Sequence, residues 1–497
     1  MTAATEVRIA IVGSGFAGIG MAIRLRQAGI EDFVVLERAA AVGGTWQANT
    51  YPGCQCDVPS HLYCFSFEPN PGWSRTYSLQ REIEAYLRRC VQRHDLAGHL
   101  RLDHEMTGAT WDAPAQRWHV QTSAGDFSAE LLIDATGALS HPAKPRIRGL
   151  KRFAGTIFHS AEWDHDHDLT GERVAVIGTG ASAIQFVPKI APQVAAMHVF
   201  QRTAPWILPH SDRATTRVER GLYRALPFTQ RAVRAAVYWG REAMVTMFAK
   251  RPRLGAVAER AARLHLRRQV ADPDLRCRLQ PAFRLGCKRV LLSNAFYPAL
   301  ARPNVELVTE GIESVDERGI VLADGSRRDV DTIILGTGFN VTAPPTAWLV
   351  RGRGGRTLAE VAGPSPLAYL GTAMPGFPNL FKLVGPNTGL GHSSMVFMIE
   401  SQLTYVMDAI RQMGEREIAT VEVRRDAAEA YNDELQALMP RTVWATGCAS
   451  WYLDARGNNT TLWPDFTFRF RRRTRRFDAG AYLCRPRASA DAPAAIA

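Results

Sequence analysis

Twice along this chain an apolar strand runs into a glycine-rich turn and then into a helical pattern, and this repetition constrains the fold more than any other feature. The first unit, residues 7–25, turns on Gly13, Gly15 and Gly18, and the following strand at 33–36 ends at Glu37, nineteen residues beyond Gly18. The second turns on Gly178, Thr179, Gly180, Ala181, Ser182 and Ala183, and its next strand, around 198–200, leads to Arg202, nineteen residues beyond Ala183. In such a unit the first glycine makes the tight turn, the second admits a pyrophosphate against the backbone and the third lets helix pack on strand. The helix N-terminus then presents free N–H groups to the phosphates. A carboxylate at the end of the second strand accepts hydrogen bonds from a ribose diol, whereas an arginine offers a planar cation to a 2′-phosphate. The pattern predicts an α/β chain with two Rossmann-like domains, the first for FAD through Glu37 and the second for NADPH through Arg202.

Segments 131–137 and 331–339 read as further strands followed by glycine turns, placing crossings near 142–149 and near 330. The FAD domain is then discontinuous, 1–145 and 330–497, around an NADPH domain at 146–329. Residues 205–285 are rich in Arg and Ala with helical periodicity and read as a helical insertion. Its apolar face is assigned to packing on the NADPH domain, ahead of lining a substrate entrance or touching a membrane peripherally. The net charge of +12 and pI near 9.5 favour anionic ligands such as dinucleotides. The basic residues read as scattered, and no nucleic-acid-binding motif accompanies them, so nucleic acid is not expected as a partner. The densest run, 469–476, follows alternating Phe466, Phe468 and Phe470 and reads as a half-buried strand without a functional role. Eight cysteines show neither a CxxC pair nor metal-ligand spacing, which predicts reduced thiols, no metal and a cytoplasmic protein. No apolar run reaches the roughly eighteen residues a spanning helix requires.

Between the two units lies Phe153-Ala-Gly155-Thr-Ile-Phe-His159-Ser-Ala-Glu-Trp163-Asp164, which reads FxGxxxHxxxWD, and residues 43–57 read GGxWxxxxYPGxxxD, ending at Asp57. This pair of signatures resembles the Baeyer–Villiger monooxygenases, and the likeness continues through Tyr63, Lys288-Arg289 and 377–386, weakening over 205–280 and after 420. The resemblance implies a flavoenzyme using FAD, NADPH and O2 to convert a small-molecule ketone to an ester or lactone through a peroxyflavin. It implies Arg289 as the cation that stabilises the peroxide and the developing oxyanion, with Asp57 aiming its guanidinium. Lys288, Arg202 and Thr203 are implied to hold the 2′-phosphate, and Thr45, Trp46, Tyr63 and Gln185 to contact cofactor, Trp46 beside the flavin. Trp451 matches a tryptophan that touches the nicotinamide cofactor, plain burial being the alternative. Phe153, Gly155, His159, Trp163 and Asp164 are read as a hinge motif on the interdomain linker that couples domain rotation to NADP binding, rather than as a proton-transfer site. A helical run from Ser393 is expected to offer its N-terminus to negative charge on reduced flavin.

Two other readings remain at this point. A flavin-dependent N- or S-monooxygenase would share the fold without needing the arginine, and a basic nucleotide-binding protein without catalysis would share the fingerprints. A disulfide reductase is excluded because Cys54-Gln-Cys56 lacks the redox spacing.

Overall fold

The computed structural model describes residues 4–139, 141–341, 344–448, 450–454 and 456–487. The chain opens with β1 (Thr5–Val12), whose buried second half leads through the glycine turn into α1 (Phe16–Gln27) and on to β2 (Phe33–Leu36). α1 is apolar along most of its length because it is covered on several sides, as a buried helix must be. Helices α2 (Thr45–Ala48) and α3 (Gln80–Arg93) follow, then β3 (Leu100–Arg101) and the antiparallel meander β4 (Met106–Asp112), β5 (Arg117–Thr122) and β6 (Phe127–Asp134). β6 returns to pair in parallel with β1, bringing Asp134 level with Val12 at the carboxyl edge of the sheet.

The second unit contains β7 (Thr156–His159), β8 (Arg173–Ile177), α4 (Ala183–Ile190) and β9 (Ala196–Phe200). The short strands β10 (Ile207–Leu208) and β11 (Leu291–Leu292) pair in parallel, so the helical insertion between them leaves and re-enters at one place. That insertion comprises α5 (Arg217–Ala225), α6 (Pro227–Val245), α7 (Gly255–Gln269) and α8 (Pro273–Arg278). The unit continues through α9 (Phe296–Leu300), β12 (Val305–Val308), an antiparallel layer of β13 (Ile312–Val315), β14 (Gly319–Leu322) and β15 (Arg327–Asp329), and finally β16 (Thr332–Leu335). The five-stranded parallel sheet has the order β12-β9-β8-β16-β7. β16 belongs to this sheet, so the chain crosses back after Leu335, not near residue 330. Phe153–His159 likewise ends in the edge strand β7, not in a free linker.

The return segment adds β17 (Val350–Arg351), α10 (Leu358–Ala362) and β18 (Leu380–Lys382), completing a first sheet of order β17-β4-β5-β6-β1-β2-β3, with β18 on the C-terminal half of β6. Then come α11 (Met395–Glu415), β19 (Ile418–Val423), α12 (Arg425–Leu438), α13 (Thr467–Arg473) and β20 (Tyr482–Pro486), which pairs with β19.

Two further expectations fail here. Residues 467–473 form α13, not a strand: Thr467 N and Oγ1 donate to the buried Glu242 carboxylate at 2.9 and 2.6 Å, anchoring a first helical turn whose Phe470 is fully buried. Cys287 and Cys448 form a disulfide with Cα atoms 6.3 Å apart, joining the segment before β11 to the C-terminal region. Sequence spacing could not foresee a bridge across 161 residues.

Candidate active site at the seam of the two nucleotide units

Both glycine turns are built as their spacing requires. Gly13 and Gly178 take φ of +102° and +113°, and a Cβ on Gly13 would lie 2.7 Å from the Ala135 carbonyl oxygen. α1 approaches its strand so closely that a Cβ on Gly18 would stand 1.8 Å from the Gly13 oxygen. Ala183 fills the corresponding place in the second unit, fully buried, with Thr179 buried and Gly180 and Ala181 exposed before it. Neither α1 nor α4 has a side-chain cap, so the first-turn N–H groups of both remain available to an anion. Glu37 is buried against the first turn, accepting from Ser14 N and Oγ at 2.9 and 2.7 Å and from Ala39 N at 3.0 Å. On the other side, Arg202 and Thr203 are exposed and Lys288 is half-buried. Burial and the neighbouring Arg202 cation hold the Lys288 ammonium below its ordinary range, and neither cation meets a carboxylate among the described residues. Two like charges held together without a counterion form a site for an anion.

At the seam the Arg289 guanidinium grips the Asp57 carboxylate with both prongs: Nε donates to Oδ2 at 2.8 Å and Nη2 to Oδ1 at 2.7 Å. These residues are 232 apart in sequence. Arg289 is positioned by β11, which starts two residues later, and Asp57 by the turn in which Cys56 N donates to Ser78 O at 3.0 Å. Asp57 pushes the Arg289 pKa still higher, against the opposing effect of burial, so the guanidinium is permanently cationic. No hydrogen bond among the described residues uses Nη1, and 37% of the Arg289 side chain stays exposed, so one edge of the fork faces open space.

Around the pair, Trp46 is buried and donates from Nε1 to the Tyr63 hydroxyl at 3.2 Å, while Thr45 starts α2 and its carbonyl accepts from Asn49 Nδ2 at 2.9 Å. Gln185 is taken up by the protein itself, its Oε1 accepting from the Tyr51 hydroxyl at 3.0 Å and its Nε2 donating to Gln55 O at 2.9 Å, which fastens α4 to the 43–57 segment. Trp451 is half-exposed, contrary to plain burial, and stands edge-on to Tyr452 at 4.5 Å. Tyr452, which sequence reasoning missed, is 1% exposed and faces both Arg289 and Asp57; burial pushes its phenol up to about 12 against the pull of Arg289. Its one sequence signal was adjacency to Trp451.

In the FxGxxxHxxxWD segment, His159 is fully buried, its Nδ1 accepts from Ala161 N at 3.1 Å, and burial lowers its pKa. Trp163 packs on Phe158 and on Phe186 of α4, and Phe186 meets Tyr51, so an aromatic chain crosses from the edge strand to the first unit. Phe153 is buried in the second unit's core, a Cβ on Gly155 would stand 2.1 Å from the Asp331 oxygen, and Asp164 Oδ1 accepts from Asp166 N at 3.1 Å. α11 begins at Met395, and Ser394 already caps it by accepting from Val396 N, so that N-terminus is partly satisfied. Just before it, Asn387 Oδ1 and Ser393 Oγ are buried without partners among the described residues.

These features define a two-unit dinucleotide-binding oxidoreductase, and the family model described as pyridine nucleotide-disulphide oxidoreductase matches residues 10–218. Cys54 and Cys56 are nevertheless unpaired and buried. The chain is 50% identical to a Baeyer-Villiger monooxygenase of Pseudomonas aeruginosa over 97% of its length and 92% of the relative's. It is 51% identical to one of Streptomyces coelicolor over 96% and 92%. Among solved structures, a closed cyclohexanone monooxygenase superposes with a TM-score of 0.87 at 25% identity, covering 97% of this chain and 100% of the other. An oxidised steroid monooxygenase bound to NADP gives 0.83 at 33%, covering 95% and 97%. The chain belongs to the Baeyer–Villiger monooxygenase family.

Proposed function

We propose that this chain is an FAD-dependent monooxygenase that consumes NADPH and O2 and inserts one oxygen atom beside the carbonyl of a small-molecule ketone, giving an ester or lactone. The observation that carries this reading is the Asp57–Arg289 fork at the seam, with its Nη1 edge uncommitted. Related solved structures are described as complexes with FAD and NADP.

The residues present fit both groups. The uncapped start of α1, the Glu37 carboxylate and the orphaned Asn387 and Ser393 atoms would hold FAD, and the α4 turn with Arg202, Thr203 and Lys288 would hold NADPH by its 2′-phosphate. When bound, the flavin supplies reducing equivalents taken from NADPH and the activation of dioxygen. Arg289 holds the negative charge that develops on oxygen during attack and rearrangement, and it does so without titrating. Asp57 fixes the plane of the guanidinium so that Nη1 points into the reacting space, which removes reorganisation from the charge-forming step. Tyr452 keeps its proton across the working pH range and excludes water from the buried side of Arg289. His159, buried and unprotonated near neutrality, holds the 153–164 segment as part of the second unit and transmits its movement through the Trp163–Phe186–Tyr51 contacts.

The test is Arg289→Ala in the purified yellow protein. NADPH should still bleach the flavin absorbance, whereas ester formation from ketones should be abolished. Unchanged ketone turnover overturns the assignment.

A further inference from the structure

The excess positive charge is not scattered. Residues 213–271 carry thirteen arginines and one lysine against three carboxylates, a net of +11 where the whole chain has +12. Two of the three carboxylates are buried, and the third is spent on a single surface ion pair. Glu219 caps α5 and pairs with Arg213, Glu242 is buried under Thr467, and Glu259 is buried between Arg263, Arg284 and Leu285 N.

The same region exposes an unusual amount of apolar surface. Eight of the fourteen exposed large hydrophobic residues among those described lie within it. α6 carries apolar residues on its outer side as well as on its inner one. Its inner side mixes apolar and polar contacts: Tyr238 stacks on Phe397 at 4.9 Å and Val245 is buried, while Gln230 Nε2 donates to Asn70 O at 2.8 Å, Arg234 Nη1 donates to His61 O at 2.8 Å, and Glu242 holds α13. Its outer side carries Phe228, Ala232, Ala235, Trp239 and Ala243 at three- and four-residue spacing, all exposed, with Phe228 at 64% and Trp239 at 59%. α7 repeats the arrangement, Val257, Ala261 and Leu264 facing outward among Arg260, Arg267 and Arg268.

From these observations we propose that the helical insertion docks on the surface of an anionic bilayer, the outer face of α6 entering the headgroup layer and the arginines meeting lipid phosphates and carboxylates. Aromatic and aliphatic side chains ringed by arginine are the composition of an interfacial helix, and anionic lipid supplies the missing counter-charge. A second copy of this chain fits poorly, because two surfaces of this charge repel. Nucleic acid would satisfy the arginines but leave the alanine and valine surface facing water. No helix among the described residues is long and apolar enough to cross a membrane, so the attachment is to the surface. α6 also reaches the catalytic pair, Arg241 Nη2 approaching the Asp57 carbonyl at 3.5 Å, so docking brings a lipid-dissolved substrate close to the site.

The experiment is sedimentation of the full-length flavin-loaded protein with vesicles of phosphatidylcholine alone or mixed with phosphatidylserine. Binding is expected only to the mixed vesicles, reversed by high salt. Phe228→Ser/Trp239→Ser should lower partitioning at least about tenfold by removing two interfacial side chains, while oxidation of a water-soluble ketone stays unchanged. The proposal is overturned by absence of binding to the mixed vesicles at low salt, by double-stranded DNA displacing them, or by a dimer in solution that the double variant dissociates.

Discussion

Replacing Asp57 with asparagine keeps the shape of the side chain and removes its charge. Asp57 now accepts from Arg289 Nε at 2.8 Å and Nη2 at 2.7 Å. An amide oxygen can keep one of these bonds, but its NH2 then faces a guanidinium N–H, so one charge-assisted bond is replaced by a contact between donors. A hydrogen bond to a charged group contributes about 1.5–3 kcal/mol. With 37% of the Arg289 and 27% of the Asp57 side chain exposed, water recovers part of the loss. A figure of about 1.5–2 kcal/mol then corresponds to roughly 10- to 30-fold in rate.

That loss should fall on oxygen insertion alone, because hydride transfer does not draw on the guanidinium. Anaerobic rapid mixing with NADPH, followed by flavin absorbance, should show reduction within about twofold of the parent. Aerobic turnover with a ketone, measured as ester formed per NADPH consumed, should show the deficit. Arg289→Lys should fall in the same direction, since a point charge cannot reproduce the fork. Two results would refute the reasoning: an Asp57→Asn enzyme with full ester yield, or one in which reduction and ester formation fall together.

Arg202→Ala should raise KM for NADPH by about tenfold or more while leaving KM for NADH nearly unchanged, as loss of one charge-assisted phosphate contact requires; equal effects on the two nucleotides remove Arg202 from the phosphate site. Gly18→Ala should yield protein poor in flavin with a lowered Tm, since the added Cβ meets the Gly13 oxygen at 1.8 Å and overpacking costs about 1–3 kcal/mol; full flavin loading would contradict the close packing. His61 is pushed down to about 4 by burial, with Arg234 and Arg213 adding to the effect and Glu219 opposing it. The unfolded chain therefore takes up a proton near pH 6.5 that the folded chain refuses until about 4, so stability falls as pH drops through that window. His61→Gln should flatten this acid limb in pH-dependent thermal unfolding, and an unaltered limb would locate the effect elsewhere.

The parts of this protein that were legible in its sequence are those whose physics is local. Gly13 and Gly18 are dictated by one turn and one helix–strand contact, both within six residues, so spacing alone located them. The Asp57–Arg289 pair, 232 residues apart, was reachable only through motifs, because nothing in composition or periodicity joins the two. Three features depended on tertiary packing and gave misleading or no local signals. Phe466, Phe468 and Phe470 alternate as a strand would, yet Phe470 turns into the core and Phe466 stacks on the exposed Phe468 at 5.2 Å, because Glu242 from α6 holds the Thr467 amide in a helical turn. Cys287 and Cys448 looked like isolated thiols until β11 and the C-terminal region came together. The arginines of 213–271 looked dispersed because apolar residues separate them in sequence. Only folding reveals that two of the three carboxylates are buried, that the third is held in an ion pair, and that many of the intervening apolar residues face outward, turning an ordinary-looking +12 into one directed surface beside Asp57.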